Sequence, residues 1–182
     1  MELRTGSKNA SVAWFKLADL ITRREREKAL SVYRLLAHSF QDKAYALQLE
    51  GDILFFLNDE KGACEKHTQA AFLYQKEQKW VHAASLYEQL WMLAPENPDL
   101  IAQLLIFYSL VGDQERFMQR FQSFVALHQQ EKIDDVFFCK SVKNIIDAVK
   151  AAAGMDRVVL VRKTMDTLLK DKQTLVQKIA LL

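Results

Sequence analysis

The chain has 182 residues, half of them hydrophobic, and a formal charge of +2. That length fits one domain with at most a small appended module, and so weak a charge gives no electrostatic case for nucleic acid. Only five glycines and two prolines occur, too few for a β-rich or disordered chain, and no uncharged apolar run is long enough to span a membrane.

No apolar run follows a basic start, so no signal peptide is expected and a cytoplasmic location is. Cys64 and Cys139 lie far apart in apolar helical contexts, which points to buried free thiols rather than a disulfide.

In chain order, residues 1–8 are polar and expected to be disordered. A helix over 9–29 follows, with Asn9 or Ser11 as cap and Val12, Trp14, Phe15, Leu17, Ala18, Leu20 and Ile21 as a wide apolar face. Arg23 to Lys28 mixes charges, as a solvated helix junction does. Leu30 to Phe40 is helical, and Asp42 caps a helix ending near Leu57. Asn58 and Asp59 form a break suited to a left-handed residue followed by a cap. Helices from Glu60 to Gln78 and from Trp80 to Ala94 come next.

Pro95 to Pro98 is a turn in which Asn97 caps and Pro98 takes the first helical position. Val111, Gly112 and Asp113 repeat the sequence of helix end and cap. Gln114 to Gln129 places Phe117, Phe121, Phe124 and Leu127 on one face. Residues 131–182 hold C-terminal helices. One starts at Asp134 or Asp135 and ends at Gly154, and another spans Arg157 to Leu169. The last segment, Asp171 to Leu182, caps the array or docks a partner through Leu175, Ile179 and Leu182.

Across 30–130 the large residues recur every 34 positions when copies start at Leu30, Cys64 and Pro98. Tyr33, His67 and Ile101 correspond. So do the pairs Leu36/Ala37, Ala70/Ala71 and Leu104/Leu105, and the aromatics Phe40, Tyr74 and Tyr108. The second halves align Leu49, Ala83 and Phe117, then Ile53, Tyr87 and Phe121, then Phe56, Leu90 and Phe124. A rival phase places Gly51 and Ala63 at the small positions, but its next copy offers Ser85 and Asn97 there.

This pattern resembles the tetratricopeptide repeat, a helix–turn–helix unit of the same period. The middle copy carries the resemblance through Ala71, Tyr74, Ala83, Tyr87 and Pro95. The family's first Trp is replaced by Tyr33, His67 and Ile101, and its Gly by Ala or Leu. The fold implied is all-α: a right-handed superhelical stack of three antiparallel helix pairs, a TPR-like α-solenoid with N- and C-terminal capping helices.

By the same resemblance, the first helix of each unit lines a concave groove. Its facing positions are Ser31, Arg34, His38 and Gln41, then Glu65, Thr68, Phe72 and Gln75, then Asp99, Ala102, Ile106 and Ser109. The Lys, Asn and Arg set that grips chaperone tails in the family is missing. The expected partner is another protein or peptide segment with apolar anchors. Self-association into a homodimer through uncapped ends stays open.

Catalytic patterns are lacking: there is no phosphate loop, HExxH pair or nucleophile elbow. Cys64 and His67 have metal-capable spacing, but two ligands do not make a zinc site. Trp80 and Trp91 suit core packing better than base stacking. No cofactor is implied, and the chain is expected not to be an enzyme. The expected function is a protein-interaction adaptor or scaffold. Alternatives are a dedicated chaperone for a secreted or unstable partner, as small tetratricopeptide proteins are in bacterial secretion, and an RNA-associated helical repeat.

Overall fold

Side-chain caps set most of the helix N-termini. The computed structural model describes residues 3–170, with side chains from Ser11 onward, and within that range the chain is all-helical, with eight helices and no strand. They are α1 (Leu3–Thr22), α2 (Arg26–Ala37), α3 (Lys43–Phe56), α4 (Glu60–Lys76), α5 (Trp80–Leu93), α6 (Pro98–Val111), α7 (Gln114–Gln129) and α8 (Asp135–Leu168).

Asp42, Asp59, Asn97 and Asp113 each accept a backbone N–H of the first turn at 3.0 Å, and Asp134 does so at 2.7 Å. Each such cap contributes about 1 kcal/mol by satisfying an otherwise orphaned donor. Pro98 sits in the first turn of α6, and Gly112 closes that helix in the left-handed conformation. Asn58 is left-handed, as its place before Asp59 suggests, but so are Arg24, Gln78 and Glu131. Gln78 therefore ends α4 two residues short of the expected boundary. The mixed-charge run at Arg23 to Lys28 is the α1–α2 junction.

α1 begins at Leu3, inside the stretch expected to be disordered. Leu3, Arg4 and Lys8 are fair helix formers, and adding residues to an existing helix is far easier than nucleating one. The C-terminal expectation for Asp171 to Leu182 lies outside the described residues.

The chain divides into two compact units between Glu77 and Gln78. In the first, α1 packs on α2 and α3 packs extensively on α4, while α2 and α3 touch lightly. Its core joins Leu17 and Leu20 of α1 to Leu30, Tyr33 and Leu36 of α2, Ile53 and Leu54 of α3 and Ala63 of α4. Of the wide apolar face expected on α1, Val12 and Phe15 stay exposed, and Trp14 stacks on Phe40 with ring centres 6.0 Å apart.

The α3–α4 seam is tight and polar at its edges. A Cβ on Gly51 would collide with the imidazole of His67, so glycine is what lets that ring lie between the helices. His67 Nε2 is 3.1 Å from Asp52 Oδ1, Lys66 pairs with Glu50 at 3.0 Å, and the Tyr74 hydroxyl donates to Gln48 at 3.0 Å.

The second unit is organised around α6, which packs against α5, α7 and α8. Ile101, Leu104, Leu105, Phe107 and Tyr108 are buried along it. The phenylalanine face of α7 is buried as expected, and Phe124 stacks on Phe138 of α8 with centres 4.9 Å apart. Trp80 stacks on Phe107. Inside α8, Gly154 alone leaves helical geometry, at φ 80° and ψ −178°, and breaks the helix where the sequence placed its end.

The 34-residue phase pairs α2 with α3, α4 with α5 and α6 with α7. The hairpins seen within the units are α1/α2, α3/α4, α5/α6 and α6/α7, and the division between units falls inside the middle copy. A period fixes the length of two helices and two turns; it does not say which turn lies within a pair. Gly51 is the glycine of the rival phase, though what it accommodates is His67.

Candidate functional site

The residues expected to line a groove fall in both units and differ in environment. In the first, Arg34 on α2, His38 and Gln41 after it, and Thr68 and Phe72 on α4 are exposed, and Gln75 is half-buried. Lys76 Nζ rests 4.5 Å from the centre of the Phe72 ring. Ser31 lines an open depression of about 430 Å³ between α1 and α2 with Lys16, Leu20, Glu27, Lys28 and Val32. In the second unit, Ala102 and Ile106 are half-buried, and Ser109 is buried with its hydroxyl donating to Leu105 O at 2.7 Å. Ser109 thus faces the packed side of α6, because the apolar stripe of that helix is wide enough to enclose it.

A larger open groove, about 710 Å³, runs between α5 and α7 over a floor supplied by α6. Val81, Ala84, Ser85, Glu88, Gln89 and Met92 come from α5, and Tyr108 and Val111 from α6. Asp113, just before α7, and Arg116, Gln119 and Arg120 on it complete the lining. The α5 residues recur at three- and four-residue steps, so they form one helix face. Val81 and Met92 are 62% and 74% exposed at its rim, so the groove carries accessible apolar edges.

A charged tie crosses the floor. Arg120 grips Glu88 through both Nε, at 2.9 Å, and an Nη, while the Tyr108 hydroxyl donates to the same carboxylate. Arg120 also lies over the Trp91 ring at 3.8 Å, and Trp91 Nε1 donates to Pro95 O. Arg116 lies over the Tyr108 ring and pairs with Asp113 at 3.5 Å. Burial alone would raise the Glu88 carboxyl. The hydrogen bonds from Arg120 and Tyr108 and the charges of Arg120 and Arg116 outweigh it and hold the group below the ordinary carboxylate range. Burial, then the bond to Glu88, pushes the Tyr108 hydroxyl well above the usual phenol range.

A carboxylate held charged with its oxygens taken up, and a phenol held neutral, do not move protons near neutral pH. The arrangement links α5, α6 and α7 and gives the groove a polar floor with apolar edges. Sequence reading missed it because Glu88, Tyr108 and Arg120 lie on three helices. The outward stripe of Val81, Ser85, Glu88 and Met92 was the available signal.

Cys64 and Cys139 are not joined in a disulfide and are half-buried, less covered than expected. Burial and then Glu60 raise the Cys64 thiol, which disfavours its nucleophilic form. Among the described residues no three metal-capable side chains gather, and no helix is long and apolar enough to cross a membrane. No protein-family model matches the chain, and no curated protein does either.

Proposed function

We propose that the chain is a non-catalytic protein-interaction adaptor, built from tetratricopeptide-like helical hairpins, that holds a partner segment in the α5–α7 groove. The supporting observation is that open groove of about 710 Å³, edged by exposed Val81 and Met92 over a fixed polar floor. A helical or extended segment would seat apolar side chains against the rim and hydrogen-bond to Gln89, Gln119 and Ser85. The superhelical stack and the cytoplasmic setting expected from the sequence belong to this proposal.

The test is affinity capture from the native cell, followed by titration of the recovered partner against purified variants. Ser85→Arg with Met92→Glu fills and charges the groove at exposed positions. The partner's affinity should fall by more than tenfold, roughly the effect of blocking an interface centre, with the circular dichroism spectrum unchanged. Arg34→Glu with Phe72→Asp tests the surface implied by the family resemblance. Loss with that pair alone would move the docking site to the first unit.

A further inference from the structure

A second groove lies in the crook of α8. Gly154 turns the chain there, so Lys143, Ile146, Asp147 and Lys150 from the preceding arm face Met155, Val158, Val159 and Arg162 from the following one. The space between them is about 370 Å³, enough for one or two bulky side chains and near the lower end of ligand-sized pockets. Ile146 and Val158 are buried at its base, while Met155 and Val159 are 56% and 61% exposed. Three cations and one acid line it, and none of the four has an ion partner among the described residues. An apolar slot whose lining carries three cations against one acid is complementary to a segment carrying acids around an apolar anchor.

We infer that the α8 crook is a docking site for an acidic peptide segment bearing a bulky apolar side chain, distinct from the α5–α7 groove. The anchor enters between Val158 and Met155, and its flanking carboxylates pair with Lys143, Lys150 and Arg162. No aromatic ring lines the crook to stack a base, which disfavours single-stranded nucleic acid. The apolar surface lies in a recess, which fits an inserted side chain better than a flat anionic membrane. Gly154 sets the shape: φ 80° with ψ −178° is a conformation open essentially to glycine alone, and nothing lies within 4 Å of where a Cβ would stand. Gly154→Ala therefore changes the crook through the backbone without a clash.

The experiment is fluorescence anisotropy on the full chain with three labelled synthetic peptides. One combines glutamates with leucine anchors, one replaces the glutamates by glutamine, and one replaces the leucines by serine. Phosphatidylserine-containing vesicles and a single-stranded RNA are run beside them. The acidic, leucine-bearing peptide should bind about tenfold or more tightly than either altered peptide. Lys150→Glu with Arg162→Glu, both at exposed positions, should weaken it by a similar factor, and raised salt should weaken it further. Gly154→Ala should also lower affinity. The double substitution Ser85→Arg with Met92→Glu should leave it unchanged, which separates this site from the adaptor groove. No saturable binding, equal binding of the glutamine peptide, indifference to the charge reversal, or tighter binding of vesicles or RNA would each overturn the inference.

Discussion

Single residues hold the helices of each unit together, and two of them invite direct tests. Glu88 accepts from Arg120 and Tyr108 on two other helices, so Glu88→Ala leaves a guanidinium and a phenol without their partner. The expected loss is about 2 kcal/mol near neutral pH, measured by urea unfolding. Because the folded carboxyl titrates below its ordinary value of 4.5, this contribution is present above that pH and disappears as the pH falls through the folded value. The gap between wild type and variant should therefore narrow in acid. Gly51→Ala drives a methyl into the His67 ring and should destabilise by about 1–3 kcal/mol. Adding His67→Ala should recover part of that loss, a non-additivity that a propensity effect of the alanine would not show. The caps at Asp42, Asp59, Asn97 and Asp113 were legible because short acceptors before an apolar run have one common use. The left-handed turns at Arg24, Gln78 and Glu131 were not, since nothing in those residue types marks the conformation.

At the level of the helix, periodicity carried most of the information. The phenylalanine spacing of α7 identified its buried face correctly. What it could not supply was the neighbour: α6 reads like one more member of a repeat, yet it is the helix around which α5, α7 and α8 pack. Leu104→Ala, at a fully buried α6 position, should cost about 3 kcal/mol in thermal or denaturant unfolding. Val136→Ala, at an exposed α8 position, should stay within about 0.5 kcal/mol. Equal effects would contradict the placement of α6 at the centre. The same lack of neighbours explains Ser109, which the repeat pattern directs toward a groove and the packing of α6 encloses.

For the whole molecule, the helical class was evident from the scarcity of glycine and proline and from the spacing of apolar residues. The division between Glu77 and Gln78 was not, because it falls where α4 and α5 continue the same rhythm with no linker-like composition. The α5–α7 groove was harder to read for a related reason: beyond the α5 stripe, its lining joins exposed residues to buried Tyr108 from segments that no single helix pattern brings together. The proposed function requires that groove to receive a protein segment. A photo-crosslinking amino acid placed in turn at Met92, Val81, Val111 and the exposed α8 position Val136, followed by mass spectrometry of the adducts formed in the native cell, tests it most directly. Adducts from Met92, Val81 and Val111 should converge on one stretch of one partner, with none from Val136. Groove positions that yield no adduct, or the same scatter of proteins as Val136, would contradict it.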